Sequence, residues 1–284
     1  MIQKTLKNFP YYFLALLLII SIIIFLNLNK ENDLTIAFLN VGQGDAMFIE
    51  TPSKNQILID AGPDGKRVLR EIKKIMPFFD KTIDLTVLSH PNKDHLAGFI
   101  DVLKRYEIRY SLSSGAKHTI AEFKEWEKLL NDEKIEKIQA KRGLRVHLDK
   151  NLYLDILAPI GKNEYKDLKS FTDSMVVARL VYGKTSFLFT GDMEEKNELQ
   201  LLNLNTFVDS DVLKVAHHGS KYSSGENWLQ AVSPIVGAIQ VGKNNKYGHP
   251  TRETLSRLEK SGIKISRTDV DGTIILKSDG EKIY

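Results

Sequence analysis

Hydrophobic and polar residues divide the chain into one apolar run near its start and a longer part built of short elements. Residues 11–28 are almost all apolar and are interrupted only by Ser21 and Asn27. Because a helix rises 1.5 Å per residue, about 20 residues cross a bilayer core of about 30 Å. The run has no polar face of the kind that a buried core helix would show, so the pattern predicts a transmembrane helix.

Charges on either side of this run predict its orientation. Lys4 and Lys7 precede the run, whereas the charges that follow it nearly balance. By the positive-inside rule, residues 1–10 form a short cytoplasmic tail and residues 29–284 form an extracytoplasmic domain. A cleavable signal peptide is the alternative, but no small-x-small cleavage site ends the run. The sequence therefore predicts a single-pass membrane protein, held in the lipid bilayer by a signal anchor at residues 11–28.

After the anchor, strand-like runs alternate with amphipathic helices, and no repeat or Pro/Gly/Ser-rich linker divides them. The predicted strands lie at residues 35–39, 46–50, 56–59, 85–88, 152–157, 176–181, 185–189, 212–215, 236–241 and 273–276. The predicted helices lie at residues 65–75, 96–106, 120–130, 226–231 and 252–260. Blocks of strands with interspersed helices indicate a layered α/β or α+β domain.

Composition narrows the chemistry that this domain can carry. Hydrophobic residues make up 42% of the 284 residues and charged residues 27%, which is typical of a globular protein. The net charge of +4 is compatible with an anionic partner without requiring one. The chain has no cysteine, so disulfides and thiolate metal sites are excluded. A metal ion would have to be held by His, Asp, Glu or Asn.

Histidines and aspartates cluster where predicted strands end. Five of the seven histidines fall in three short polar segments, each after an apolar strand, and another strand ends in Gly-Asp. The residues concerned are His90, Asp94, His95, Asp192, His217, His218 and His249. Singly, such residues are usually helix caps or turns. Together, at the carboxyl edge of a sheet, these imidazoles and carboxylates suit a pair of divalent cations bridged by a carboxylate.

Two motifs, His90-x-x-x-Asp94-His95 and Thr190-Gly191-Asp192, resemble those of the metallo-β-lactamase superfamily. More narrowly, residues 34–278 resemble the hydrolase domain of the ComEC competence proteins. The matching segments are residues 39–46, 57–62, 174–192, 213–220, 241–250 and 267–272. The resemblance implies an α/β fold, an αββα sandwich, placed after the N-terminal transmembrane helix. Because ComEC also carries a large membrane channel, a separate competence channel protein is a candidate partner.

Carried over by position, the resemblance assigns the candidate metal ligands, with Asp192 as the bridging group. These are His90, Asp94, His95, Asp192 and His217, and Asp173 occupies a slot where many superfamily members place another ligand histidine. Asp94 would also orient the attacking water, and His218 or His249 would protonate the leaving oxygen. The residues expected to support the site are Asp45, Asp60 and Asn92.

Asn92 departs from the superfamily pattern, which usually reads His-x-His-x-Asp-His. An amide oxygen is a weaker ligand than an imidazole or a carboxylate. We therefore expect one or two divalent cations, Zn²⁺ or Mn²⁺, in one tight and one loose position. A bound cation lowers the pKa of its water to about 7 and so supplies hydroxide without a side-chain nucleophile.

The ComEC resemblance implies hydrolysis of phosphodiesters, with DNA outside the cytoplasm as the leading substrate. The candidate substrate contacts are Ser220, Lys221, Lys243 and Tyr247. Lys214, Lys246, Arg252 and Arg257 also flank the motifs, either as phosphate contacts or as solvated surface charges. Two alternatives stay open. One is a hydrolase of another cell-surface phosphodiester, such as a phosphocholine ester, and the other is a non-catalytic DNA-binding module.

Overall fold

A computed structural model describes residues 11–22, 33–160 and 174–284. Its strands form two sheets of seven strands each. The first sheet contains β1 (Leu34–Phe38), β2 (Met47–Glu50), β3 (Gln56–Ile59), β4 (Thr82–Leu88), β5 (Glu107–Ser113), β6 (Glu136–Gln139) and β14 (Ile274–Ser278). The second sheet contains β7 (Arg145–Asp149), β8 (Leu152–Ala158), β9 (Val177–Tyr182), β10 (Thr185–Phe189), β11 (Val212–Lys214), β12 (Val236–Ile239) and β13 (Lys264–Arg267).

Both sheets combine parallel and antiparallel strands. The first has the order β14-β1-β2-β3-β4-β5-β6, and its strands β3 to β6 are parallel. The second has the order β13-β12-β11-β10-β9-β8-β7, and its strands β10 to β13 are parallel. Since parallel strands end at one edge of a sheet, the loops after β3 and β4 come together, as do those after β10 and β11.

Helices cover the outer faces of the two sheets. The described helices are α1 (residues 11–22), α2 (Gly65–Ile75), α3 (Lys93–Leu96), α4 (Phe99–Leu103), α5 (Ala121–Asp132), α6 (Glu195–Asn203), α7 (Glu226–Val232), α8 (Arg252–Lys260) and α9 (Thr268–Asp271). One apolar core lies between the sheets. A second core packs α2, α4 and α5 on the first sheet, and a third packs α6, α7 and α8 on the second sheet. These layers form the αββα sandwich that the resemblance implies.

Local sequence explains why the helices begin and which face they bury. Asp64 accepts a hydrogen bond from the amide of Lys66 and so caps the start of α2. Val68 and Ile72, four positions apart, turn toward the first sheet and are fully buried. The prediction of this helix at residues 65–75 is confirmed.

The helix predicted at residues 96–106 is wrong, because the structure divides this region into α3, α4 and the approach to β5. The amide of Gly98, between the two helices, donates to the carbonyl oxygen of Gly62, at 2.9 Å. A Cβ atom at Gly98 would lie 1.9 Å from the carbonyl oxygen of Ala61, so the backbone passes here at a distance that only glycine permits.

The predicted transmembrane helix finds no support in the described residues. Of the predicted anchor, residues 11–22 are described and are helical. Throughout the described part of the chain, every helix is too short or too polar to cross a bilayer. Residues 1–10 and 23–28, which complete the predicted tail and anchor, lie outside the described residues.

Candidate metal centre

The candidate site residues lie at one edge of the sandwich, where loops from both sheets meet. Asp45 precedes β2, Asp60 follows β3, and His90 to His95 follow β4 in the first sheet. From the second sheet, Asp192 follows β10, and the His217–His218 pair follows β11. The strand order thus brings together residues that are more than 100 positions apart in the sequence. Asp173, a further predicted ligand, lies outside the described residues.

Four residues form a compact group with the geometry of a metal site. The group consists of Asp94, His95, Asp192 and His218, each of which offers one ligand atom within 4.8 Å of the others. His95 Nε2 lies 3.2 Å from Asp192 Oδ2, and His218 Nε2 lies 3.5 Å from Asp94 Oδ2. Two imidazoles with two carboxylates make a donor set that suits Zn²⁺ or Mn²⁺.

The imidazole rings are oriented by a second layer of partners. Three histidines near the site bond through Nδ1, while each Nε2 is buried without a hydrogen-bond partner. The Nδ1 contacts are Asp60 Oδ2 for His95 at 2.9 Å, the Gln240 carbonyl oxygen for His218 at 2.8 Å, and Ser89 Oγ for His90 at 3.0 Å. Metal-binding histidines in proteins are fixed in this way by their other ring nitrogen. The free Nε2 atoms therefore fit a bound cation.

Electrostatics in the buried group also favour a cation. Burial alone would raise the pKa of Asp192, but His95 and His218 hold it well below its usual range. In turn, burial opposes a charge on both histidines. Nevertheless, Asp192 and other carboxylates raise the pKa of His95 well above its usual range, and that of His218 to about 10. Protons on these rings balance the carboxylates where no metal is bound, and a divalent cation would replace them.

The pKa of His90 is shifted in the opposite direction from those of His95 and His218. Burial, together with the neighbouring His95, lowers the pKa of His90 to about 3, so its imidazole stays neutral at physiological pH. Its Nε2 lies 3.8 Å from Asp192 Oδ2, and its ring lies against that of His95 with 4.1 Å between centroids. A neutral imidazole beside a shared carboxylate is available to a second cation.

Metal binding is expected to release protons from the metal-free protein. At pH 7 both His95 and His218 carry a proton because their pKa values are raised, and both must lose it to bind a cation. Each displaced proton raises the apparent metal affinity roughly tenfold per pH unit, so binding should tighten from pH 6 to pH 8. Titration calorimetry in buffers of different ionisation enthalpy measures the release.

As a matched control for that titration, His147→Gln changes an exposed histidine on β7 and should leave proton release unaltered. His218→Gln should bind metal more weakly and release fewer protons. Binding that is independent of pH, with no protons released, would contradict the assignment.

The structure places His218, rather than His217, in the four-residue group. His217 Nε2 lies 3.9 Å from Asp192 Oδ2, and its side chain remains about one-third exposed. Both residues have left-handed backbone angles, with φ of 50° and 54°. Such strain in two consecutive non-glycine residues is typical of functional sites, and here it brings both imidazoles toward Asp192.

Asn92 lies at the start of α3 and outside the four-residue group. Its carbonyl oxygen accepts hydrogen bonds from the amides of His95 and Leu96, at 3.1 and 3.0 Å. Its side chain makes no capping hydrogen bond and is half-buried. Asn92 therefore supports the site through its backbone, which turns His95 toward the other ligands.

Lys214 is buried behind the site and cannot contact a substrate. Its Nζ contacts the carboxylate of Asp45, which is also fully buried, and donates to the Gly191 carbonyl oxygen at 2.9 Å. Burial would raise the pKa of Asp45, but Lys214 and then His218 hold it below its usual value. The lysine thus neutralises the negative charge of Asp45, a second buried carboxylate next to the candidate ligands. Its signal in the sequence is a single charge at the end of the apolar strand β11, directly before the apolar Val215.

Asp60 is fully buried as well, and burial raises the pKa of its carboxyl group despite the neighbouring His95. It accepts hydrogen bonds from the amide and the hydroxyl of Ser89, at 2.8 and 2.6 Å, in addition to its contact with His95. Sequence reasoning missed Ser89 and Gln240, because a serine and a glutamine carry no ligand signal by themselves.

The predicted substrate contacts differ in their exposure. Ser220 is buried, and its hydroxyl accepts a hydrogen bond from the Tyr222 amide at 3.3 Å, so it shapes the loop after β11. Lys221 and Lys243 are exposed at the rim of the site. Tyr247 is 58% exposed.

His249 connects this rim to the metal site. Its ring stacks on that of Tyr247 with 5.9 Å between centroids, and lies edge-on to that of His217 at 5.7 Å. Burial, and then His217, lower the pKa of His249. Its Nδ1 is buried and has no hydrogen-bond partner among the described residues.

A groove of about 470 Å³ runs from Asp94 along this rim. It is lined by Gln43, Pro63, Asp64, Arg67, Lys93, Asp94, Asn245, Lys246 and Tyr247. Asn245 fixes one wall, because its side chain donates to the carbonyl oxygens of Gly242 and His249 and accepts from the amides of Tyr247 and His249. The groove therefore presents basic and aromatic side chains beside one of the candidate ligands.

An αββα sandwich with imidazoles and carboxylates converging at one edge defines a metal-dependent hydrolase of the metallo-β-lactamase type. Residues 39–240 match the model of the metallo-beta-lactamase superfamily, and the chain belongs to this superfamily. The fold of this superfamily binds divalent metal ions, which agrees with the donor set found here.

Two curated relatives are competence-related proteins. The chain is 32% identical over 255 residues to ComE operon protein 3 of Bacillus subtilis (strain 168), an alignment that covers 83% of this chain. It is 28% identical over 250 residues to the competence protein ComA of Neisseria gonorrhoeae, with 86% of this chain covered. The chain spans 32% of the length of each relative. The predicted resemblance to the ComEC family is confirmed.

Among solved structures, the metallo-beta-lactamase fold protein YhfI from Bacillus subtilis matches with a TM-score of 0.57. The match covers 85% of this chain and 98% of that protein, at 10% sequence identity. At this identity the likeness concerns the fold alone.

Proposed function

We propose that this protein is a metal-dependent phosphodiesterase that cleaves DNA outside the cytoplasm. The observation that carries the proposal is the group formed by Asp94, His95, Asp192 and His218, whose ligand atoms converge and whose Nε2 atoms lack hydrogen-bond partners. Competence-related names among the relatives support DNA as the substrate.

The same four residues would hold a divalent cation, with His90 and His217 also facing Asp192. A bound cation supplies activation of water and stabilisation of the negative charge that develops in hydrolysis. Asp94, partly exposed toward the groove, would accept a hydrogen bond from the attacking water and so orient it. Since His218 directs its Nε2 into the ligand group, His249 is the imidazole that would protonate the leaving oxygen.

The groove beside Asp94 supports a polyanionic substrate. Arg67, Lys93 and Lys246 line it; Arg67 lies 3.7 Å from Asp64, and Lys93 is paired with Glu122 at 2.6 Å. Lys221 and Lys243 are exposed at the rim. These cations would contact phosphates, and the exposed ring of Tyr247 offers a surface on which a base can stack. The binding of DNA by such contacts should weaken steeply with salt.

We further propose that the apolar segment at residues 11–28 attaches the domain to the membrane. The side chains of its described part, residues 11–22, are exposed and do not take part in the cores of the sandwich. Attachment would place the site outside the cytoplasm, where a separate competence channel protein could receive the product.

The test is cleavage of labelled oligonucleotides by the purified full chain, with Mn²⁺ or Zn²⁺ supplied separately. Single-stranded DNA, double-stranded DNA and p-nitrophenyl phosphorylcholine are compared. Cleavage of DNA with little action on the choline ester supports the proposal. Preference for the choline ester would favour that substrate class instead, and no hydrolysis of any diester with either metal would overturn the enzymatic proposal.

A further inference from the structure

Two aromatic rings project from the sandwich far from the metal site. Phe78 is 86% exposed and Phe79 is 75% exposed, and their rings meet edge-on with centroids 5.7 Å apart. They belong to residues 77–81, which connect α2 to β4 and are called here the aromatic loop. Neighbouring phenylalanines that are this exposed usually mark a surface that contacts a membrane or a partner.

The aromatic loop lies at the edge of the first sheet where the chain enters the sandwich. Asp80 Oδ2 accepts a hydrogen bond from Gln56 Nε2, at 2.7 Å, and Gln56 is the first residue of β3. In the ladder, Gln56 pairs with Glu50, and Glu50 pairs with Thr35 near the start of β1. The loop and the start of β1 therefore share one edge of this sheet.

The candidate metal site occupies the opposite edge. Asp60 and His90 follow the last residues of β3 and β4, whereas the aromatic loop precedes the first residue of β4. Because a strand rises about 3.3 Å per residue, the seven residues of β4 alone separate the two edges by about 20 Å. A surface that engages the aromatic loop would leave the metal site and its groove accessible.

Exposed lysines flank the loop. Lys73, Lys74 and Lys81 lie on either side of the rings, and Lys74 is paired with Glu71 at 2.7 Å. Asp80 is the one acidic residue in the aromatic loop, and its carboxylate is engaged by Gln56 and by the amide of Thr82. Exposed aromatic rings flanked by lysines suit the headgroup region of a bilayer that contains anionic lipids.

We propose that the aromatic loop is a second membrane contact, which inserts Phe78 and Phe79 into an anionic lipid surface and turns the metal site away from it. This inference rests on the proposed attachment through residues 11–28. Residue 22 and Leu34 are twelve positions apart, so the two residues can lie no more than roughly 40 Å apart. The proposed membrane attachment is therefore close to the start of β1, at the edge of the sheet that carries the aromatic loop. This closeness favours a lipid surface as the partner of the loop.

The experiment uses the full chain with Phe79→Trp, reconstituted into vesicles of phosphatidylcholine and phosphatidylglycerol that contain brominated acyl chains. Trp126 and Trp228 are buried and give a background that lipid bromines do not reach. Tyr222→Trp is the matched control, since Tyr222 is also exposed but follows β11, at the edge that carries the metal site. We expect the emission of the indole introduced at position 79 to shift to shorter wavelength and to be quenched, while the indole at position 222 is unaffected.

Flotation of the same vesicles separates the two proposals. If the chain floats but the fluorescence of the indole at position 79 is not quenched, the attachment holds and the second contact is wrong. The same conclusion follows if the introduced indoles of both variants are quenched alike. An unquenched indole at position 79 in floating vesicles would favour a protein, rather than a lipid surface, as the partner of the aromatic loop. If the chain does not float with the vesicles, both the attachment and the second contact are wrong, whatever its hydrolytic activity.

Discussion

Replacement of Asp192 with asparagine is expected to lower kcat/KM for the proposed phosphodiester cleavage by at least roughly 1,000-fold, because a carboxylate that would hold the cation supports several kcal/mol of transition-state stabilisation. The substitution keeps the size of the side chain but removes the charge that faces His95 and His218, at 3.2 and 3.7 Å. Steady-state kinetics with saturating metal measure the effect, and titration calorimetry measures the accompanying loss of metal affinity.

The matched control is Asp209→Asn, an exposed aspartate at the other end of the second sheet, before β11. It should keep the activity and metal affinity of the unmodified protein. An Asp192→Asn variant that retains both would show that this carboxylate holds no cation used in the reaction.

The largest effect on stability is expected at Lys214. Replacement with methionine would remove the ammonium group that contacts the buried Asp45 carboxylate, and breaking a buried pair in this way costs about 3–5 kcal/mol. The free energy of unfolding, measured by urea titration of the metal-free protein, should fall by that amount. The exposed Lys260→Met on α8 should change it by less than about 0.5 kcal/mol.

A double-mutant cycle separates the ion pair from general damage to the core. Lys214→Met combined with Asp45→Asn should be more stable than Lys214→Met alone, because the double variant no longer buries an unpaired carboxylate. If the changes in the free energy of unfolding caused by Lys214→Met and Asp45→Asn simply add in the double variant, these side chains do not stabilise each other.

Periodicity predicted the elements whose burial pattern is clear. Helix α8 and strands β3 and β10 have the bounds that the sequence predicts. Leu255 and Leu258 recur at helical spacing in α8, whereas β3 and β10 are short, fully buried runs bounded by turns. Strands β6 and β13 were missed because most of their side chains are exposed or half-buried, which leaves no alternating pattern. Helix α6 was missed for a different reason: it buries the polar Asn197 and Glu198 beside Leu201.

The sequence predicted which types of residue form the candidate site, but not which of two neighbouring histidines joins the group or which side chains pair behind it. Strand ends and ligand types place His95 and Asp192 in the group from sequence alone. The choice between His217 and His218 depends on left-handed backbone angles that no residue pattern encodes. Lys214 was interpreted as a phosphate contact because its sequence neighbourhood does not reveal that Asp45, 169 positions away, occupies the same buried space.

The most direct test of the proposed metal centre is anomalous X-ray diffraction from crystals of the full chain grown with Zn²⁺ or Mn²⁺. We expect an anomalous peak at ordinary bonding distance, about 2.0–2.2 Å for zinc, from ligand atoms of Asp94, His95, Asp192 and His218. A fully occupied metal bound elsewhere, with these four side chains left without a cation, would contradict the assignment.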